Sequence, residues 1–273
     1  MLNASIVLYR HKPDTLKDLV DVLTQAQNVS QIFLIDNSPV NNLIFSDIQK
    51  TKYIHNPKNL GYGKAHNIAI RETIKQGIEY HLVVNPDVIF KPEILPQIET
   101  YMSEHQDVGL LSPKMFSPEG ELQYQCKLLP SPSDLIFRRF LPSKWTQKRQ
   151  YCYEMRASGY DHIMEAPYLQ GSFMFLRTET LMETGLFDER FFLYPEDIDL
   201  TRRIHQKYKT IFFPEAQIVH KHERASYKSL KMLIIHTREM IKYFNKWGWF
   251  CDQNRIVINN NIKTDMERDI KTI

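Results

Sequence analysis

The feature that most limits the fold is an alternation in the first third of the chain. Short apolar runs at Ala4–Tyr9, Gln31–Ile35, Tyr53–His55 and His81–Asn85 are separated by stretches with helical spacing. Thr15–Gln27 sets Leu16, Leu19, Val20 and Leu23 on one helical face. A second helix is expected from about Lys64 to Gln76, closed by Gly77, and a third over Pro92–Glu104. Strand–helix–strand units of this kind build a parallel sheet with helices on its faces. In such sheets ligands bind beyond the carboxyl ends of the strands. Tyr9-Arg10, Asp36-Asn37 and Asn85-Pro86-Asp87 fall at three such ends, so a polar binding rim is expected there.

From Ser117 to Glu165 the chain is rich in Pro, Lys, Arg and aromatics, with weak periodicity. It reads as a variable excursion. Order returns at Tyr168. A strand is expected at Ser172–Leu176, a helix near Glu179–Thr184 and another opening after Pro195. Last strands are expected at Ile211–Phe213 and Ile218-Val219, and a C-terminal helix over Ser226–Trp247. The 273 residues are 42% hydrophobic, enough for a sizeable core. A net charge of only +3 gives no argument for a nucleic-acid partner. Cys126, Cys152 and Cys251 have neither metal-ligand nor redox spacing and read as reduced thiols. With no secretory leader pattern before the first strand, a cytoplasmic location is expected. The apolar runs are far shorter than the ~20 residues that span a bilayer.

Four clusters carry candidate chemistry. Asp87, on a strand end, suits a divalent cation held against a diphosphate, since Mg²⁺ takes only one or two protein carboxylates and leaves the rest to phosphates. The alternative is a turn-closing aspartate. Phe187 to Leu200 packs acids among aromatics, and Glu196 and Asp197 follow Pro195 at a helix start. The dipole alone would explain acids there. The stretch nevertheless holds more carboxylates than a cap requires, and Asp197 is the candidate general base. His220 follows a strand and is a candidate metal ligand, against the plainer reading of a packed histidine. Asn59-Leu60-Gly61-Tyr62-Gly63-Lys64-Ala65-His66-Asn67 is a glycine-bearing loop entering a helix. Its spacing is not the dinucleotide fingerprint.

Taken in order, these pieces resemble the family 2 glycosyltransferases of GT-A fold, over about residues 3 to 226. The resemblance is carried by Tyr9, Asp36-Asn37-Ser38, Asn59-x-Gly61-Tyr62, Asn85-Pro86-Asp87, Gly171-Ser172-Phe173-Met174, Phe187-Asp188-Glu189, Glu196-Asp197-x-Asp199-Leu200-x-x-Arg203 and His220. Within the family the chain is most similar to the bacterial rhamnosyltransferase-like branch that builds O-antigens, capsules and related glycans. The resemblance implies a Rossmann-like, mixed and mostly parallel sheet flanked by helices. It implies an inverting, metal-dependent transfer of a sugar, rhamnose foremost, from a nucleotide-diphosphate donor to a glycan hydroxyl, on an acceptor linked to a polyprenyl diphosphate. Donor contacts would come from Tyr9, Asp36, Asn37, Asn59, Gly61, Asn67, Asn85 and Asp87. Acceptor contacts would come from Gly171, Ser172, Phe173 and Glu196, with the excursion over the acceptor. Asp87 and His220 would hold Mg²⁺ or Mn²⁺, and Asp197 would be the base. Three positions depart from the pattern. Asn85 stands at the first acid of the metal motif, Lys127 lies in a stretch usually rich in Arg, and His222 to Ser226 lacks a glycine.

The expected division is a catalytic domain over 1–225, with a donor half to about 115, the excursion over 116–165 and an acceptor half over 166–225, followed by a helical tail over 226–273. In the tail, Leu230, Leu233, Ile234, Ile241 and Phe244 share helical spacing, with Lys231, Arg238 and Lys242 on another face. This suits docking on an anionic membrane. It equally suits packing on the catalytic domain or on the second subunit of a homodimer. The rival functions are a nucleotidyltransferase, which would carry a glycine- and base-rich loop after the first strand, and a non-catalytic glycan-binding module. A glycoside hydrolase would have no nucleotide pocket.

Overall fold

A computed structural model describes residues 1–41, 48–134, 143–221 and 230–272. The first third follows the expected alternation. β1 (Leu2–Leu8), α1 (Lys17–Gln25), β2 (Val29–Asp36), β3 (Thr51–His55), α2 (Tyr62–Lys75), β4 (Tyr80–Val84), β5 (Val88–Ile89) and α3 (Ile94–Glu104) succeed one another. β6 (Val108–Phe116) follows. The excursion carries β7 (Leu122–Gln123), β8 (Cys126–Lys127), α4 (Ser143–Tyr153) and β9 (Met164–Glu165). β10 (Tyr168–Leu169), β11 (Phe173–Arg177), α5 (Thr178–Thr184), α6 (Glu196–His205) and β12 (Lys209–His220) complete the sheet region. α7 (Leu230–Trp247) and α8 (Gln253–Thr272) end the chain.

The main sheet runs β3-β2-β1-β4-β11-β6-β12-β5. β1, β2, β3 and β4 pair in parallel, as do β6 and β12, while β11 is antiparallel to both its neighbours. The sheet is therefore mixed and mostly parallel. Its central strands are apolar along their whole length, as sheets covered on both faces require: every residue of β4 and β11 is buried. The strand order reverses at β1, which leaves a crevice beyond the carboxyl ends of β1 and β4. A buried polar chain holds α2 over these two strands. The Ser5 hydroxyl lies 2.7 Å from His66 Nδ1 and 2.8 Å from His81 Nε2, and Thr73 Oγ1 lies 2.8 Å from His81 Nδ1. Burial pushes both imidazoles well down, so they bond as neutral rings.

The two last strands expected at Ile211–Phe213 and Ile218-Val219 form the single strand β12, with a register jump between Phe213 and Gln217. The expected boundary at 225 and the start of the tail helix at 226 lie outside the described residues. The tail does not stand apart from the domain. Met240, Tyr243 and Phe244 pack on Leu129, Tyr168, Phe191 and Ile198. Arg202 of α6 makes two 2.7 Å bonds to Asp252, both side chains being almost wholly buried, and its guanidinium sits 3.9 Å from the Trp247 ring. The sequence stripe therefore divides: Phe244 faces inward, whereas Leu230, Ile234 and Ile241 are exposed.

A buried bidentate pair is costly to break on one side, because the remaining charge stays buried. Asp252→Ala is expected to lower unfolding stability by ~3–5 kcal/mol in urea titration. A loss below ~1 kcal/mol, the value of a surface ion pair, would contradict this anchoring.

Candidate functional site

The crevice collects most of the residues singled out by sequence. Tyr9 follows β1 and is 44% exposed, with the Arg10 guanidinium 5.3 Å over its ring. Arg10 takes a positive φ of 60° and donates its N–H to Ser38 Oγ at 2.7 Å, which turns the chain out of the strand. Asp36 ends β2. Its carboxylate accepts the Ser38 N–H at 2.9 Å and the Tyr53 hydroxyl at 2.7 Å. Asn37 is buried, with its amide donating to Gly61 O at 3.2 Å and accepting from Asn56 at 3.1 Å. Asn59 Oδ1 accepts the Gly61 N–H at 2.9 Å. Gly61 has φ 85°, and a Cβ there would lie 2.4 Å from Phe192 O, so only glycine fits this close approach. Asp36, Asn37, Asn59 and Gly61 thus shape the rim as one hydrogen-bonded unit.

Asn85 and Asp87 extend from β4. Because β11 runs antiparallel to β4, Phe173 pairs with Val84 and the start of β11 meets the end of β4. The Asn85 N–H donates to Ser172 O at 2.9 Å, continuing the ladder by one residue. Gly171 and Ser172 are thereby held against the Asn85–Asp87 loop. β5 pairs His220 with Val88. That register brings His220 Nε2 within 3.4 Å of Asp87 Oδ2.

Glu196 and Asp197 open α6 on the far side of Gly171. The Gly171 N–H donates to Asp197 Oδ2 at 2.8 Å, and the Tyr168 hydroxyl lies 3.4 Å from the same oxygen. A Cβ at residue 171 would stand 2.9 Å from the Asp197 Cβ, so glycine is needed for this approach. Both carboxyls are buried. Burial raises the Asp197 pKa, against the lowering from the Gly171 N–H and the Lys127 charge. Burial raises Glu196 as well, and the neighbouring Asp197 charge adds to it. Two adjacent buried carboxyls of this kind do not both ionise readily. Lys127, in the excursion, stands 5.2 Å over the Tyr168 ring and so borders the same carboxylate.

Two expected contacts lie elsewhere. Asn67 is wholly buried, and its amide donates to the Phe187 carbonyl at 2.9 Å and to Glu189 Oε1 at 3.2 Å and accepts the Phe187 N–H at 3.1 Å. It pins the approach to the Glu196-Asp197 segment. The Phe173 side chain is wholly buried in the core with its ring edge-on to Phe90 at 5.5 Å, so it does not form an acceptor surface. Asp199 is likewise structural. It takes bonds from Arg203 Nε and Trp247 Nε1, each at 2.8 Å, tying α6 to the tail.

Two residues without an assigned role from sequence join the site. His11 lies close enough to Asp87 and Asp36 that both charges raise its pKa against the larger lowering from burial. The Tyr62 hydroxyl reaches Asn85 Oδ1 at 2.8 Å and Gly171 O at 2.7 Å. The stretch from His222 to Ser226, noted for its lack of a glycine, lies outside the described residues. Among the described residues, no three His, Cys, Asp or Glu side chains converge into a closed metal cage, and no helix is long and apolar enough to cross a membrane.

Comparison with known proteins agrees with this geometry. An N-acetylglucosaminyl-diphospho-decaprenol L-rhamnosyltransferase of Mycobacterium tuberculosis is 25% identical over 234 residues, covering 78% of this chain and 74% of that protein. The low-salt glycan biosynthesis hexosyltransferase Agl10 of Haloferax volcanii is 24% identical over 206 residues, covering 73% of this chain and 60% of that protein. Among solved structures, GalNAc-T7 with UDP, GalNAc and Mn²⁺ superposes with a TM-score of 0.58 at 14% identity, over 80% of this chain and 42% of that one. The mannosyltransferase PcManGT of Pyrobaculum calidifontis, in complex with GDP-Man and Mn²⁺, gives 0.56 at 13% identity, over 90% and 63%. The chain thus spans less than two thirds of either solved structure, and these two likenesses concern the fold. The model of the glycosyltransferase like family 2 matches residues 43–240, well over half of the chain. The protein therefore belongs to glycosyltransferase family 2 and is a glycosyltransferase of GT-A fold.

Proposed function

We propose that the protein transfers a hexose-type sugar, rhamnose foremost, from a nucleoside-diphosphate donor to a hydroxyl of a lipid-linked glycan, with inversion at the anomeric carbon, in the synthesis of a surface polysaccharide. The observation that carries this reading is the convergence of the Asn85–Asp87 loop and the Gly171–Asp197 pair at one crevice. The choice of rhamnose and of a polyprenyl-diphosphate acceptor follows the likeness to the mycobacterial enzyme.

Asp36, Asn37, Asn59 and Gly61 hold the nucleoside side of the crevice, with the exposed Tyr9 ring available to the base. The acceptor oxygen attacks the anomeric carbon as the bond to the diphosphate oxygen breaks. The acceptor proton passes to the Asp197 carboxylate. One displacement of this kind inverts the configuration and needs no sugar–enzyme bond. Asp197 suits the role because burial lifts its proton affinity toward the working pH, while the Gly171 N–H keeps the carboxylate aimed. Holding both substrates in line supplies much of the acceleration.

The residues present fit a divalent cation. Asp87 and His220 place an oxygen and a nitrogen donor 3.4 Å apart, an open set of the size that Mg²⁺ or Mn²⁺ takes when phosphates and waters complete it. When bound, such an ion neutralises charge developing on the leaving diphosphate.

The exposed face of α7 supports contact with an anionic bilayer. Leu230, Ile234 and Ile241 form one solvent-facing stripe, beside the exposed Lys231 and Arg238. Trp249 lies at the helix end, its ring 5.3 Å from Phe244 and its N–H bonded to Asn245, and Phe250 is 78% exposed. Apolar side chains flanked by cations suit an interfacial helix.

Asp197→Asn is expected to reduce transfer by ~10²–10⁴-fold, the span of general-base catalysis, while donor binding persists. The wild-type rate should fall as pH drops, because Asp197 must be ionised to accept the proton. With its pKa raised, that acid limb lies above the ordinary aspartate value of about 3.9. Transfer by Asp197→Asn within about tenfold of wild type removes the base assignment. In a vesicle sedimentation assay at low salt, the protein should bind phosphatidylglycerol vesicles, and Ile234→Glu with Ile241→Glu should release it. Equal sedimentation of the two proteins contradicts the docking face.

A further inference from the structure

The Tyr62 hydroxyl has one hydrogen and two oxygen neighbours drawn as acceptors, Asn85 Oδ1 at 2.8 Å and Gly171 O at 2.7 Å. A single hydrogen does not serve both at full strength. The Gly171 carbonyl can only accept. The Asn85 amide can turn over, because its oxygen and nitrogen are interchangeable in shape. The consistent arrangement has Tyr62 donating to Gly171 O and the Asn85 NH₂ donating to the Tyr62 oxygen. Asn85 Oδ1 then faces away from Tyr62. Both bonds are satisfied, and the Asn85 side chain keeps an oxygen acceptor in the same loop as Asp87.

The same residue 171 donates its N–H to Asp197 Oδ2 at 2.8 Å. A continuous path therefore runs from the donor loop through Asn85, the Tyr62 hydroxyl and Gly171 to Asp197. The ring that carries this hydroxyl is itself fixed. Tyr62 N–H donates to Phe192 O at 3.0 Å, and its ring lies edge-on to His66 at 4.4 Å and Phe187 at 6.3 Å.

We propose that Tyr62 is a positioning residue. Its hydroxyl sets the spacing between the donor loop at Asn85–Asp87 and the base Asp197, and it selects the amide orientation in which Asn85 presents oxygen. Burial, then the charges of Glu196, Asp197 and Asp87, raise the phenol pKa well above its usual value, so the hydroxyl keeps its hydrogen. The arrangement also gives a physical reason for asparagine at residue 85. An aspartate there has no N–H to give, and it would compete with Gly171 O for the one hydrogen. This inference rests on the proposed roles of Asp87 and Asp197.

The test is a two-by-two set of kinetics and melting curves on the full chain: wild type, Tyr62→Phe, Asn85→Asp and the double variant. Phenylalanine keeps the ring contacts, so the melting temperature should stay near wild type. Tyr62→Phe is expected to lower kcat about tenfold or more, the value of about one hydrogen bond, with the donor KM within about twofold. Asn85→Asp alone is expected to lower kcat although it adds an acid to the loop. Its penalty should shrink about tenfold in the Tyr62→Phe background, a non-additivity that marks direct coupling. Tyr62→Phe at wild-type kcat, or penalties that simply multiply, overturns the proposal. If either variant at Tyr62 is unfolded, Asn85→Asp alone still decides: unchanged or raised kcat refutes it. Asp197→Asn run in parallel separates the two readings, since retained transfer there removes the base assignment, whereas the Tyr62 proposal is judged on its own kcat and coupling.

Discussion

The site depends on one pairing, the antiparallel contact of β11 with β4. Parallel neighbours would have put the start of β11 at the opposite edge of the sheet. Antiparallel pairing instead aligns Phe173 with Val84 and brings Gly171-Ser172 against Asn85. Two loops almost ninety residues apart in sequence thereby share one crevice. The strand-order reversal at β1 opens that crevice on its other side. The ends of β1, β2 and β4 line one side of it, and the approach to β11 and the start of α6 line the other.

The rigidity of the second half follows from what α6 touches. Its first turn carries Glu196 and Asp197 toward the crevice. Its other faces are tied to the tail through Asp199 with Trp247 and through Arg202 with Asp252. Glu239 of α7 accepts the Phe192 N–H at 2.9 Å, and Phe192 O in turn receives the Tyr62 N–H. The C-terminal helices therefore brace the segment that presents Glu196 and Asp197. The desolvation cost of such a buried charge pair largely offsets its attraction, so its net stabilisation is small although breaking one side is costly.

Much of this was legible in the sequence because local patterns and tertiary roles agree. The strands and helices of the first third follow apolar periodicity, and Asp87 and His220, read separately as metal ligands, come within 3.4 Å of each other. β6 was not legible. Gly109, Ser112 and Pro113 interrupt its apolar run, and the glycine and the proline are accepted for reasons that only packing reveals. A Cβ at Gly109 would lie 2.7 Å from Thr180 Cγ2. Pro113 sits where the partner strand β12 jumps register after Phe213, the kind of irregularity at which a strand proline is tolerated. The burial of the Asn67 and Phe173 side chains was not legible for a complementary reason: motif position gives sequence adjacency to a site, not the direction of a side chain. The places of Tyr62 and His11 beside Asn85, Gly171 and Asp87 need distances across the sheet, which no spacing supplies.

The central claim is that the crevice binds a nucleotide sugar against a divalent cation for transfer. The most direct measurement is turnover and binding across a panel of nucleotide sugars, each with Mg²⁺, with Mn²⁺ and with a chelator. Saturable, metal-dependent turnover of one donor over the others is the expected result. A folded protein that ignores every nucleotide sugar, or turns one over equally well in chelator, contradicts it.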